Sequence, residues 1–318
     1  MRDLRPENAP TIKQLGGSVV DLLRNIERTR PNWSAFNPSI GYQNKKGMAI
    51  AIRSSNFIIN SAKSYQLLEG DSFKSQVWFS ELDNNLKLRN LRKIDFNGLE
   101  SEFPRGFEDP KLFWRDNSWN FTCIVTEGDH PGVARTAVAK LDSKAVKVID
   151  FVQHPGPEPM RPEKNWMAPY QQNPHFDFVY GPNATIKNNR LTSYMTDKPE
   201  LSMLRGSTNL HLLGNNTYLA VLHKKYSQVA RGVNSTTFGT VQTQDMHYFH
   251  YFAQYDYKGN IIGLSKPFQF YKSGVEFAAG LIMREKDFLI SFGREDVSSH
   301  IAVLPVKTVL ESLQPVTY

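Results

Sequence analysis

The chain has a single cysteine, Cys123, among 318 residues, so no intrachain disulfide can form. It sits in the apolar run Phe121-Thr122-Cys123-Ile124-Val125, which reads as core rather than as a nucleophile's surroundings. Long apolar stretches are also missing. None approaches the length of a membrane span, and Met1-Arg2-Asp3-Leu4-Arg5-Pro6 is too polar for a secretion signal, so the expectation is a cytoplasmic protein with no membrane partner. There is no Gly-rich loop of P-loop type, no Rossmann fingerprint and no Gly-x-Ser-x-Gly, which removes the footing for nucleotide-fold and α/β-hydrolase readings. An Asp-x-Asp pair, the mark of a metal-dependent nucleotide-sugar transferase, is absent as well. His247 and His250 stand close together, but on a strand positions three apart face opposite sides, and no acids at ligand spacing accompany them. Neither a metal nor a cofactor is expected.

What is present is aromatic and basic. Twenty Phe, 13 Tyr and 5 Trp make up 12% of the chain, a load that suits a β-rich core and equally suits stacking on sugars or bases. The formal net charge of +7 favours anionic partners such as sugar phosphates, nucleotides, nucleic acid or anionic surfaces. These charges are spread in short groups, among them Lys45-Lys46 and His223-Lys224-Lys225, with no basic tail.

Near the start, Ser18 is placed to cap a helix over 19–28, with apolar residues at helical spacing and Pro31 beyond its end. From there the pattern changes to short apolar runs separated by Gly, Asn and Asp. They fall at 48–53, 76–82, 111–114, 119–125, 134–141, 176–180, 191–195, 208–213, 218–223, 249–255, 288–292 and 300–303. Such spacing predicts an all-β closed or radial architecture. Residues 210–213 and 218–221, joined through Gly214-Asn215-Asn216-Thr217, read as a hairpin. A second helix is expected over 306–313, and the Pro-rich stretch 154–162 reads as a loop walling a site. The expected organisation is an N-terminal helical extension (1–35) followed by one catalytic domain (36–318).

One stretch carries chemistry: Gly106-Phe107-Glu108-Asp109-Pro110-Lys111-Leu112. Two adjacent carboxylates precede a proline that fixes its own φ and restricts Asp109, at the mouth of a pair of strands. This resembles the G-x-E-D-P-R signature of the five-bladed β-propeller mannoside phosphorylases, glycosidases and related glycosyltransferases (glycoside hydrolase family 130-like). Other segments resemble the same family in the same order. They are Phe36-Asn37-Pro38-Ser39-Ile40, Ile52-Arg53-Ser54-Ser55-Asn56-Phe57, Arg135-Thr136-Ala137, Glu163-Lys164-Asn165-Trp166, Arg205-Gly206-Ser207 and the strand ending at His223. Val275-Glu276-Phe277-Ala278-Ala279-Gly280 and Ile290 to Asp296 complete the series. Lys111 replaces the family's arginine, exchanging a bidentate fork for a point charge. The histidine-arginine pair that the phosphorylases carry after E-K-N is replaced by Phe178-Val179-Tyr180, so part of the phosphate site is missing, although Arg135 and Lys164 remain.

The resemblance implies an all-β, five-bladed β-propeller in which Asp109 is the catalytic general acid or base. Substrate-binding candidates are Asn37, Arg53, Asn56, Glu108, Lys111, Arg135, Lys164, Asn165, Trp166, Arg205, His223, Glu276 and Asp296. Among these, Arg53, Arg135, Lys164 and Arg205 are expected to bind a phosphate-bearing leaving group, Glu276 and Asp296 to hold sugar hydroxyls, and Glu108 to brace its loop. In an extended segment Glu108 and Asp109 would point to opposite sides. Trp166 and Tyr170 are candidates for stacking. The expected activity is inverting transfer from an activated donor, a sugar nucleotide or sugar phosphate, to an acceptor hydroxyl on a glycan or, given the positive charge, on a hydroxylated DNA base. The alternatives are a phosphorylase or hydrolase of β-mannoside-type oligosaccharides, or a non-catalytic glycan-binding propeller. Oligomeric state is left open, the N-terminal segment being read as an oligomer contact or a clasp.

Overall fold

The computed structural model describes residues 8–23, 33–43, 47–59, 65–126, 133–157, 162–171, 173–182, 184–193, 199–227, 246–271 and 274–316. Five antiparallel sheets follow one another along the chain, as blades around a common axis. Blade one is Ser34–Gln43, Gly47–Ser55, Ser75–Leu82 and Leu88–Lys93; blade two is Glu108–Arg115, Ser118–Thr126, Ala134–Leu141 and Val148–Gln153. Phe178–Gly181, Ala184–Lys187 and Arg190–Ser193 form blade three, with Met167 bridged to Val179 on the near side. In blade four, Arg205–Gly206 and His211–Leu213 both pair with Thr217–Ser227, followed by Met246–Tyr255 and Ile261–Leu264. Blade five is Glu276–Arg284, Asp287–Arg294 and Ser298–Pro305.

The N-terminal segment departs from the helix expected of it. Ser18–Leu23 is a strand that pairs antiparallel with Ser298–Pro305, Asp21 opposite His300, and so forms the outer edge of blade five. Six residues with Val19, Val20, Leu22 and Leu23 satisfy a helix or a strand equally well, and an open sheet edge in need of hydrogen bonds decides between them. The segment is a clasp, with Asp21 Oδ1 against His300 Nδ1 at 2.7 Å. Residues 24–28 of the expected helix lie outside the described residues. The α-helices among the described residues are the four-residue Pro199–Ser202 and the expected C-terminal one, Val306–Ser312. After the latter, Gln314–Pro315 joins the outer edge of blade four. Among the described residues, no helix is long and apolar enough to cross a membrane.

The aromatic load is spent largely between blades. Phe79, Phe96, Phe107, Trp119 and Phe121 fill one cluster, and Phe252, Phe268, Phe270, Phe288 and Phe292 another. Phe270 stacks on Phe292 at 4.0 Å, and burial of each such ring contributes about 1.5–3 kcal/mol. The inner strands are packed by small residues instead. Ser34–Gln43 lies against Glu108–Arg115 and Glu276–Arg284, and Ser39 Oγ both donates to the Ala279 carbonyl and accepts from the Leu112 N–H, each at 2.8 Å. A Cβ on Gly280 would come within 2.3 Å of the Ile40 nitrogen. This crowding explains why Ser34–Gln43 has a composition that apolar runs do not detect. It also explains Pro38 inside a strand, at a register shift between Phe36 and Ser39 where no ladder bond is lost.

Candidate active site

Gly106 holds the entry to the acidic motif. Its φ is +79°, and an added Cβ would lie 1.9 Å from the Ser75 carbonyl oxygen, so no side chain fits. The strand begins at Glu108, paired with Ile124, and the register then slips before Lys111. Asp109 occupies this bulge with φ +47°, a left-handed backbone inside a strand. The alternation expected of Glu108 and Asp109 is thereby broken. Both turn to one guanidinium: Arg53 Nη2 lies 3.1 Å from Glu108 Oε2, and Arg53 Nη1 donates to Asp109 Oδ1 at 2.9 Å.

Arg53 is itself fixed from behind. Its Nε donates to Ser55 Oγ at 3.1 Å and to Ser75 Oγ at 3.0 Å, and the guanidinium lies over the rings of Phe36 and Phe57. Burial opposes its charge, but Glu108 and Asp109 outweigh that and raise its pKa. Its fork is therefore committed to carboxylates, not to the phosphate group expected of it. From the neighbouring strand Asn37 Nδ2 donates to Asp109 Oδ1 at 2.8 Å. Asn37 also has a left-handed backbone (φ +47°), nested against Gly293 so closely that a Cβ there would meet Asn37 Oδ1 at 2.2 Å. Burial would lift the Asp109 carboxyl; Arg53, both hydrogen bonds and Lys164 reverse this and hold it below the usual carboxylate range.

A second carboxylate, Asp296 (φ +52°), faces the first pair from blade five's end. Tyr65 donates its hydroxyl to Asp296 Oδ2 at 3.4 Å. Burial pushes Asp296 up to about 7; Arg53 pulls the other way, Asp109 adds to the rise, Tyr65 opposes it and Glu295 adds to it. Tyr248 is raised by burial and by the charges of Asp296 and Asp109, and its ring stacks on His223 at 5.4 Å.

Cations gather on the other side. His223 is buried, its Nδ1 2.7 Å from Ser207 Oγ, and burial with the charges of His250, Lys111, Lys164 and Arg205 holds it neutral, well below its ordinary pKa. Its strand does not end there but runs on to Ser227. Lys111 is buried and donates to the Trp166 carbonyl at 3.0 Å; burial lowers it to about 7 against the pull of Asp109. Lys164 and Arg205 are exposed, Arg205 lying directly across the strand pair from His223.

Several expected residues serve the scaffold. Asn56 donates to the Glu69 and Ser72 carbonyls and accepts from the Lys74 N–H, so its amide staples a loop. Glu276 is buried and accepts the Phe270 and Tyr271 N–H groups at 2.8 and 2.9 Å, leaving no free oxygen for a sugar. Burial still raises its carboxyl to about 7. Trp166 is core, packed on Phe178 and donating its indole N–H to Glu163 Oε2; Tyr170 accepts from the Tyr42 N–H. Arg135 is buried opposite Val125, and Asn165 is half-buried with φ +67°. Cys123 is buried, which raises its thiol pKa. Among the described residues no group of three or more His, Cys, Asp or Glu could hold a metal ion. Tyr65, Tyr248 and Ser75 carry no sequence signal of their own, because partners far along the chain bring them to the site.

An axial cluster of two differently tuned carboxylates beside a set of cations, on a five-bladed propeller, is the class of site this fold presents. No protein-family model and no curated protein matches the chain. Solved structures do share its architecture. A β-1,2-mannobiose phosphorylase from Listeria innocua superposes with TM-score 0.58 at 12% identity, over 93% of this chain and 99% of that one. MPT-4, a mannose phosphorylase from Leishmania mexicana solved with phosphate, gives 0.55 at 12% identity over 94% and 91%. A GH130-family structure, from work on glycoside hydrolases that target β-1,2-mannosidic linkages in Candida mannan, gives 0.59 at 12% identity over 96% and 93%. At these identities the likeness establishes the fold.

Proposed function

We propose that this chain is an inverting carbohydrate-active enzyme, namely a glycoside phosphorylase of β-mannoside-type oligosaccharides, with Asp109 moving the proton. The observation that carries the reading is Asp109 itself. Arg53 and Asn37 both hold Oδ1, which leaves Oδ2 to face a substrate, and the exposed Lys164 and Arg205 beside neutral His223 supply positive charge for an anion. In phosphorolysis a phosphate oxygen attacks the anomeric carbon, the glycosidic C–O bond breaks, and Asp109 gives its proton to the departing oxygen. The product is a sugar 1-phosphate of inverted configuration. In the reverse direction Asp109, ionised, takes the acceptor's proton as that oxygen attacks the sugar 1-phosphate. At rest the cations hold Asp109 ionised; a bound phosphate offsets the field of Lys164 and raises its affinity for the proton needed in cleavage.

Transfer from an activated donor, a sugar nucleotide or sugar phosphate, was the activity expected of the sequence; it gives way to the phosphorylase alternative because the structural neighbours described above are phosphorylases and hydrolases. Two observations still favour transfer: an Asp109 kept ionised suits a base, and Phe178-Val179-Tyr180 stands where the resemblance would put the phosphorylases' histidine-arginine pair. The test is incubation of the protein with β-1,2-mannobiose, with and without inorganic phosphate, followed by NMR. Phosphate-dependent release of mannose 1-phosphate supports the proposal. Release of free mannose alone indicates hydrolysis, and no reaction with either, alongside consumption of a sugar nucleotide, indicates transfer.

A further inference from the structure

Between the strands Gly47–Ser55 and Ser75–Leu82 the chain inserts a small hairpin, Phe57–Ile59 paired with Tyr65–Leu67, which belongs to no blade. Two such short strands cannot stand alone. This hairpin is stapled at its root by Asn56, and Phe57 is wedged against Phe36 at 5.8 Å and beneath the Arg53 guanidinium. Phe57, Tyr65 and Phe73 form an edge-to-face triangle, with centroid separations of 5.3, 5.3 and 6.2 Å. Phe57 is buried, whereas Tyr65 and Phe73 remain 38% and 41% exposed, beside a site otherwise lined by charge. From this triangle the Tyr65 hydroxyl reaches Asp296, tying the hairpin to blade five.

We infer that this hairpin is the wall of a saccharide subsite beside the axial carboxylates. In it Tyr65 is a positioning residue that orients Asp296, and the exposed rings of Tyr65 and Phe73 receive the apolar face of a sugar beyond the reacting bond. The inference rests on the proposed carbohydrate activity. Exposed aromatic rings cost solvation unless something covers them, and the C–H face of a pyranose is flat and apolar while its edge bears hydroxyls that Asp296 can meet. The charged and titratable groups facing Asp296 are Arg53, Asp109, Glu295, Tyr65 and, from blade four, Tyr248. Since the Tyr65 hydroxyl favours the ionised form of Asp296, its removal moves Asp296 to a higher pKa.

The test compares wild type with Tyr65→Phe, Tyr65→Ala and Phe73→Ala, each first checked by melting. Calorimetric binding of β-1,2-mannobiose and β-1,2-mannotriose without phosphate is measured beside the pH dependence of kcat. Tyr65→Phe is expected to keep its affinity and shift one limb of the pH profile upward, which a merely structural ring would not do. Tyr65→Ala and Phe73→Ala are expected to weaken mannotriose binding about fivefold and mannobiose binding less, the scale of one lost aromatic contact. Unchanged affinities in both alanine variants with an unchanged profile in Tyr65→Phe overturn the inference, as does a wild type that binds neither saccharide. A wild type that binds them but releases no sugar phosphate overturns only the phosphorylase reading, and the affinity comparison then decides the hairpin's role.

Discussion

Asn37 donates a 2.8 Å hydrogen bond to Asp109 from a different blade, and both residues hold left-handed backbone inside strands. Two bulges in adjoining inner strands are thus aimed at each other. Such a conformation costs about 1–3 kcal/mol at a residue with a side chain, and Asn and Asp bear it best. The strain points both side chains out of the sheet's alternation and toward the axis.

Asp109→Asn is expected to lower kcat/KM at least about a hundredfold, the usual contribution of a general acid or base. Arg53 keeps its contact with Glu108, so the melting temperature should stay close to that of wild type. Turnover within tenfold of wild type would remove Asp109 from the proton-transfer role.

Asn37→Gly tolerates the backbone but loses the hydrogen bond. Because that bond favours ionised Asp109, its loss raises the Asp109 pKa and should move upward the limb of the pH–rate profile that Asp109 sets, the alkaline limb in phosphorolysis and the acid limb in synthesis. Gly293→Ala should act through the same contact, since its methyl would displace Asn37. A pH profile unmoved in both variants would disconnect Asn37 from the carboxylate's tuning.

Lys164→Ala combined with Arg205→Ala should raise the KM for phosphate about tenfold and leave the KM for saccharide unchanged, on the scale of one lost charge-assisted hydrogen bond. Steady-state kinetics with phosphate as the varied substrate reads this directly. Equal phosphate KM values would place the anion elsewhere.

Glu276 binds its proton more tightly folded, with a pKa of about 7, than in an unfolded chain, where it is about 4.3. The folded state holds more protons between those values, so this group's contribution is complete at low pH and is lost as pH rises toward 7. Wild type should lose melting temperature between about pH 4 and 7 relative to Glu276→Gln. The variant should be less stable overall, because one of the Phe270 and Tyr271 N–H groups loses its acceptor. Parallel curves across that range would contradict the raised carboxyl.

Deleting residues 1–23 uncovers the Ser298–Pro305 edge and leaves His300 without Asp21. Reduced stability and self-association are expected, read by melting and sedimentation. A deletion variant as stable and as monodisperse as the full chain would mean that the clasp adds nothing.

Much of the propeller was legible in residue order. The runs at 119–125 and 134–141 became strands within a residue or so of their expected bounds, because a buried strand leaves a short apolar run in the sequence. The hairpin through Asn215 and Asn216 followed from turn chemistry, both residues having positive φ. Ser34–Gln43 left no apolar run of its own and was legible only through the resemblance carried by Phe36 to Ile40, because small residues such as Ser39 and Gly41 are where it meets the neighbouring inner strands.

The sequence by itself determined the absence of an intrachain disulfide, the β-rich patterning and the Glu-Asp-Pro motif, since each can be read from composition or from neighbours in the chain. Only the tertiary structure decided that Ser18–Leu23 is a strand, that Glu276 and Asn56 are consumed by backbone groups, and that Glu108 and Asp109 share Arg53. It alone brought Tyr65 to Asp296 across 231 positions of chain. Local propensity fixes a segment's menu of conformations. The open edge, the bulge and the opposing charge that choose among them are supplied by residues far away in sequence.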